Sequence, residues 1–317
     1  MKKACITSCG QIATYLIEQL LQDDYQVMVM ARYGSTNKLP KEITNHKRFT
    51  SMYGDIGYYQ DIVDFVEAAN QSDIFIHTAA QSNVKLSFEQ PELTMKLTGS
   101  SVEYCLDIIR RLSPKTHFVQ LSSCEQFGGY PAPQNEETPF SPQSPYARAK
   151  CHGFNKVQQY RDYGLFASNA ILFNTESPRR PENYVSRKIV KGACRIKLGL
   201  QEKLLLGNIE GKRDFSHAYD AANAIIKIAQ AEKADDFIVS SNQSHSIRKF
   251  VELAFSKLEL NWQDYVVIDP DLYRENAGPE YCGDNSKIKK KLNWEPKYTF
   301  DSLIGEMIEV EMKGLNE

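Results

Sequence analysis

Tyr146 and Lys150 stand four residues apart in the stretch SPYARAK, residues 144–150. On a helix that spacing puts both side chains on one face. An ammonium beside a phenol favours the phenolate and draws its pKa down, which makes Tyr146 a candidate base for a hydroxyl group. The spacing alone also fits an ordinary surface pair. Its context is more specific. SSCEQFG, residues 122–128, lies just upstream, at the end of the apolar run THFVQLSS. Ser123 can donate to or accept from a substrate hydroxyl there, and Glu125 adds a carboxylate at the same edge. A buried strand, Ser-x-Glu, a long loop and Tyr-x-x-x-Lys together are a more specific signal than the Tyr–Lys spacing alone.

The elements that must hold these groups alternate. KACIT (2–7 region), YQVMVMAR (25–32), HKRFTSMYGDI (46–56), DIFIHTAA (73–80) and THFVQLSS (116–123) read as strands. QIATYLIEQLLQ (11–22), YYQDIVDFVEAA (58–69) and LTMKLTGSSVEYCLDIIRRL (93–112) read as helices between them. This rhythm predicts an α/β fold with a doubly wound parallel sheet. Ligands of such sheets sit beyond the carboxyl ends of the strands, here Ser8–Gly10, Arg32, Asp55, Ala79–Ser82 and Ser122–Glu125. A Pro-, Gln- and Ser-rich loop spans 131–145, followed by a helix at 146–163 and a strand at 165–173. The rhythm then becomes irregular. The reading is a dinucleotide-binding domain over 1–173, rejoined by 214–241, and a smaller, irregular substrate lobe made of 174–213 and 242–317.

Composition narrows the function. With 42% hydrophobic residues and a net charge of −2, the chain can bury a core, and nothing favours nucleic acid or an anionic membrane. No apolar run approaches the ~20 residues of a membrane-spanning helix. Thr7, Ser8 and Gln11 break any signal-peptide core, so a cytoplasmic protein is expected. The seven cysteines are scattered and the six histidines show no paired spacing, so no metal is expected.

These features resemble the extended short-chain dehydrogenase/reductases of the epimerase/dehydratase superfamily and, within them, the GDP-mannose 4,6-dehydratases. The likeness is carried by AAQSNVKLSFEQPELT (79–94), SSCEQFG, SPYARAK, ILFNTESPRRP (171–181), YVSRKI (184–189), KLLLGN (203–208), KRDFSHAYD (212–220) and GDNSKIKKKLNWEP (283–296). It runs over nearly the whole chain. The resemblance implies a Rossmann sheet and a lyase (hydro-lyase) that turns GDP-mannose, or a related GDP-hexose or GDP-heptose, into a 4-keto-6-deoxy sugar through a bound nicotinamide. Tyr146 would deprotonate the 4-hydroxyl, Lys150 hold the cofactor ribose, Ser123 bond the 4-oxygen, and Glu125 take the C5 proton and assist loss of water from C6. A reductase has no use for that carboxylate. The cofactor would lie along Thr7, Ser8, Gly10, Gln11, Ile12, Arg32, Asp55, Ile56, Ala79, Ala80 and Ser82, with Tyr146, Lys150, Thr175 and Arg180. The GDP-sugar would meet Ser82, Asn174, Lys188, Arg213 and Arg274. A homodimer through the helices at 93–112 and 146–163 is implied, with a tetramer left open.

The chain departs from the family pattern at its first loop. Thr7-Ser8-Cys9-Gly10-Gln11-Ile12-Ala13 is one residue shorter than the family's TG-x-x-GQDG, and Ser8 and Ala13 put β-carbons where the backbone should approach pyrophosphate. Thr175 replaces a His and Leu93 a Tyr, and RENAGPEY (274–281) lacks the family's Pro and Glu after Arg274. Arg32 beyond the second strand favours NADP, with NAD left open. The alternatives are a related nucleotide-sugar 4-reductase or epimerase, or a catalytically weakened paralogue acting as a non-enzymatic partner.

Overall fold

The computed structural model describes residues 1–272 and 280–316. Its centre is a seven-stranded sheet. In chain order the strands are β1 (Lys3–Ile6), β2 (Gln26–Ala31), β3 (Phe49–Tyr53), β4 (Ile74–His77), β5 (His117–Ser123) and β6 (Ala167–Leu172). The later β7 (Asn174–Glu176), β8 (Leu204–Leu206) and β9 (Lys212–His217) lie elsewhere, and β10 (Asp236–Val239) returns to the sheet. The order is β10-β6-β5-β4-β1-β2-β3, and every pairing is parallel. The first connection goes outward to β2 and β3 and the next returns across β1 to β4. That reversal opens a crevice at the carboxyl ends of β1 and β4, where such sheets take ligands.

A strand buried on both faces feeds two cores by alternation. Ala4 and Ile6 of β1 pack with Leu16, Ile17 and Leu20 of the helix Gln11–Gln22 and with Ile225 and Ile228 of the helix Ala218–Ala229. Cys5 faces the opposite core, with Phe65, Leu106, Ile109 and Val157 from the helices Tyr59–Ala69, Ser101–Leu112 and Pro145–Asp162. Ile288 and Trp294, late in the chain, also pack on the first core.

The helix expected at 93–112 is interrupted. Pro91–Thr94 and Ser101–Leu112 flank a π-helical stretch, Met95–Ser100. A wider turn is invisible to a 3.6-residue pattern, and such turns recur beside functional sites. Here it carries Gly99 against the helix Pro145–Asp162. A β-carbon on Gly99 would stand 3.1 Å from the Ala149 carbonyl oxygen, next to Lys150.

The remaining strands form two small sheets. β7 pairs with β9, and β9 with β11 (Ser244–Ser246); β8 pairs with β12 (Val266–Ile268). Ile189, Val190, Phe250, Phe255, Ile304 and Met307 form a separate core below them. A fourth cluster, Cys124, Phe127, Phe154, Ile171, Phe173, Ile238 and Tyr281, underlies the end of β5. Among the described residues no helix is long and apolar enough to cross a membrane.

Candidate active site

SPYARAK encodes its own helix start. The Ser144 hydroxyl accepts from the Ala147 N–H at 3.1 Å, and Pro145 takes the first helical position. That fixes Tyr146 in the first turn, with Lys150 one turn on. Ser123 ends β5 and caps the short 3-10 turn Cys124–Phe127, accepting from the Glu125 N–H at 3.3 Å. The Gln126 side-chain oxygen closes the same turn from the Ser123 N–H at 3.2 Å. The chain can leave this turn only through glycine. Gly128 has φ of 56°, and a β-carbon there would fall 1.7 Å from the Ser141 carbonyl oxygen.

Tyr146, Ser123 and Lys150 are all buried. Burial pushes the Tyr146 phenol well above its ordinary pKa; a hydrogen bond from Ser123 opposes this, and the Glu125 charge adds to it. The sequence-based expectation of a lowered phenol therefore needs correction. The Lys150 ammonium is 5.8 Å from the Tyr146 ring centroid and donates to the Leu121 carbonyl at 2.5 Å. Burial of that cation draws Lys150 down to about 8. The lysine is thus a desolvated, weakly held charge at the base of the cleft.

Glu125 is half-buried at the same end. The Tyr281 hydroxyl donates to its Oε2 at 3.5 Å. The Arg213 guanidinium lies over the Tyr281 ring, 5.3 Å from the centroid. Arg213 comes from β9, in register opposite His245 of β11.

One cleft of about 1240 Å³ joins this end to the first loop. Its lining includes Thr7, Ser8, Gly10, Gln11, Ile12, Arg32, Asp55, Ile56, Ala79, Ala80 and Ser82. It continues over Ser123, Glu125, Tyr146, Lys150, Asn174, Thr175, Arg180, Lys188 and Arg213. The sequence-predicted residues thus share one cavity, except Arg274, which lies outside the described residues.

The shortened loop keeps its shape through side chains. Thr7 Oγ1 accepts from the Thr78 and Ala79 N–H groups at 3.1 and 3.2 Å. Its own proton is then directed to His77 Nδ1, 3.0 Å away. The other ring nitrogen, His77 Nε2, lies 3.1 Å from Ser101 Oγ, which itself donates to the Leu97 carbonyl. These bonds need a neutral imidazole, and burial lowers the His77 pKa to about 3. The Ser8 and Thr78 hydroxyls bond at 2.7 Å across the ends of β1 and β4. A β-carbon on Gly10 would meet nothing nearer than the Ser8 hydroxyl at 3.9 Å, so the loop faces open space. Gly10 caps the helix Gln11–Gln22 without a side-chain bond, leaving first-turn N–H groups to receive an anion. A crevice running from Arg32 and Asp55 past this helix start to Lys150 fits an extended dinucleotide.

Several predicted contacts are tied to the protein instead. Gln11 donates to the Thr175 carbonyl at 3.0 Å and accepts from Ser177 at 2.8 Å, which anchors the loop to β7. Arg180 pairs with buried Glu176 at 3.3 Å and stacks on Tyr184 at 3.6 Å. Its neighbour Arg179, outside that predicted set, forks onto Glu18 at 2.8 and 2.7 Å. Ser82 hydrogen-bonds the Tyr184 hydroxyl at 3.3 Å, across the cleft mouth. Lys188 and Arg32 are exposed. Thr78, Tyr184 and Tyr281 were not singled out from the sequence. Their partners are 70, 102 and 156 residues away, and no local motif announces such pairings. Among the described residues no group of His, Cys, Asp and Glu is placed to hold a metal ion.

A family model described as GDP-mannose 4,6 dehydratase matches residues 8–307. The GDP-mannose 4,6 dehydratase 1 of Arabidopsis thaliana is 37% identical over 318 residues, covering 96% of this chain and 88% of its own. The human GDP-mannose 4,6 dehydratase is 34% identical, with 96% and 89% covered. Among solved structures, a dTDP-glucose 4,6-dehydratase from Bacillus anthracis in complex with NAD superimposes with a TM-score of 0.85 at 21% identity, covering 100% of this chain and 98% of its own. The UDP-glucose 4-epimerase of Thermotoga maritima gives 0.86 at 19% identity, with 99% of each chain covered. At that identity the structural likeness establishes the fold.

Proposed function

Because the chain belongs to the GDP-mannose 4,6-dehydratase family, we propose that it is a nucleotide-sugar 4,6-dehydratase acting on GDP-mannose or a closely related GDP-hexose. The observation that carries this reading is the meeting of Glu125 with Tyr146, Ser123 and Lys150 at one end of a single cleft. A 4-reductase or epimerase would need only the last three.

A nicotinamide, when bound, supplies the acceptor and later the donor of the hydride. The chain's residues do the rest. Ser123 and Tyr146 hold the 4-oxygen, and Tyr146 accepts its proton. Burial holds the free phenol protonated, so before it can act as base its own proton must pass to solvent, and Lys150 is the cation the chain provides to stabilise the resulting phenolate. Oxidation at C4 acidifies the proton on C5. Glu125 takes that proton and returns it to the departing 6-hydroxyl, which leaves as water. As hydride returns to C6, C5 must regain a proton, and Tyr146 supplies the one it took from the 4-hydroxyl; the 4-ketone is the product, one water has been lost, and the phenolate is restored.

We propose NADP as the cofactor, supported by exposed Arg32 just past β2, where a guanidinium can fork onto a 2′-phosphate. Arg213 and Lys188 are proposed for the diphosphate, and Asn174 and Ser82 for the sugar. A homodimer through the helices Ser101–Leu112 and Pro145–Asp162 is proposed from the resemblance. The function is tested by incubating the protein with GDP-mannose, UDP-glucose or dTDP-glucose and either dinucleotide, then weighing the sugar product. Loss of one water from GDP-mannose alone, faster with NADP, is the expected result. A product reduced at C4, or epimerised without loss of mass, would move the assignment to the alternatives.

A further inference from the structure

We infer that Tyr281 is a positioning residue for Glu125, holding the carboxylate in register with the sugar's C5–C6 edge; this rests on the dehydratase reading above. Tyr281 is 3% exposed and packs with Cys124, Phe127 and Phe173 beneath the end of β5. Its hydroxyl donates to Glu125 Oε2 at 3.5 Å. That is the outer limit of a hydrogen bond, a length common in catalytic contacts before substrate tightens them.

The ring itself has little freedom. Gln134 is fully buried and bonds this segment four times, its carbonyl accepting from the Asp284 N–H at 2.8 Å. Its N–H donates to the Cys282 carbonyl at 2.9 Å, its side-chain oxygen accepts from the Cys282 N–H at 3.0 Å, and its side-chain amide donates to the Glu280 carbonyl at 3.0 Å. Buried Asp214 accepts from the Gly283 N–H at 3.3 Å. Gly283 must be glycine, since a β-carbon would stand 2.6 Å from the Phe173 ring and 2.7 Å from Ser240. A phenol pinned on both sides of its backbone can restrict a half-buried carboxylate that sits on a short turn.

Two further features give this arrangement a catalytic sense. Arg213 lies over the face of the same ring, so one side chain registers both the proposed diphosphate cation and the proposed dehydrating base. Burial and the Glu125 charge both push the Tyr281 pKa up, so its proton stays on oxygen and the group remains a donor. Tyr281 need not touch the sugar. It acts through Glu125, and a small misplacement of a reacting group is costly in rate.

The test is Tyr281→Phe, which keeps the ring and removes only the hydroxyl, with Tyr281→Leu alongside to remove the ring as well. For the Phe variant, kcat for water loss should fall roughly tenfold. KM for GDP-mannose and Kd for the dinucleotide should stay within about twofold. In quenched single turnovers the sugar should accumulate as the 4-ketone that still carries its 6-oxygen. The Leu variant should add a rise in KM, because Arg213 loses its support. Thermal melting checks that both variants fold. Water loss at the wild-type rate in Tyr281→Phe overturns the inference, as does a uniform slowing of oxidation and dehydration. Wild-type protein that oxidises or dehydrates no GDP-sugar overturns the functional reading and this inference together.

Discussion

The two ends of the cleft are built differently. At the Tyr146 end the side chains that could do chemistry stand on regular, capped structure. Ser144 and Pro145 start a helix, Ser123 ends a buried strand, and Gly128 closes the turn that carries Glu125. At the loop end the expected glycines are gone, and cross-strand hydroxyls stand in their place. Ser8 bonds Thr78, Thr7 bonds His77, and Gln11 reaches over to Thr175 and Ser177. Glycine gives a loop its shape through backbone freedom; here the shape comes from side-chain ties, with Gly10 still facing open space. An altered phosphate loop is therefore compatible with a complete set of reacting groups.

The comparison can be broken most sharply at the Tyr146 end. Tyr146→Phe should lower turnover by about 10²–10⁴, the range for a lost general acid–base group. Steady-state rates on GDP-mannose check this, and undiminished turnover would exclude the phenol as the base. Glu125→Gln should lower water loss by about 10² or more while dinucleotide Kd, read by calorimetry, is unchanged. Normal dehydration in that variant would remove the carboxylate from the mechanism.

Lys150 offers a test on stability. Its pKa in the folded protein is about 8, against 10.5 for the unconstrained side chain. Below pH 8 the buried charge destabilises the fold in full. Between 8 and 10.5 the unfolded chain binds more protons, so stability rises with pH and the penalty fades. Lys150→Met should therefore be more stable than wild type at neutral pH, by at most ~3 kcal/mol, and the gap should close above pH 10. Urea melts across that range check it; a gap independent of pH would mean the lysine is not desolvated.

The smallest effect belongs to the loop. Ser8→Gly restores a glycine and removes the bond to Thr78. Dinucleotide Kd should change by less than about tenfold, the scale of one hydrogen bond. A change of several hundredfold would show that the loop, and not the Tyr146 end, limits the protein.

Much of this was legible in the sequence because it is local. The parallel sheet follows from apolar runs spaced by helices, and Tyr146 and Lys150 follow from a cap, a proline and a four-residue step. Glu125 follows from its place just past a buried strand. What could not be read depends on packing between distant segments. The tie from Thr78 to Ser8 spans 70 residues and that from Tyr281 to Glu125 spans 156. The direction of the Tyr146 pKa shift depends on how deeply the phenol is buried, which the four-residue spacing to Lys150 does not encode. The π-helical stretch Met95–Ser100 has no periodic signature of its own, yet it lets Gly99 bring the Lys150 helix close.

GDP-mannose carrying deuterium at C4 gives the most direct test. If one cofactor takes and returns the hydride at this site, the sugar product will have lost one water and will carry the deuterium on C6. A product without water loss, or one whose deuterium has passed to free dinucleotide, would contradict the account.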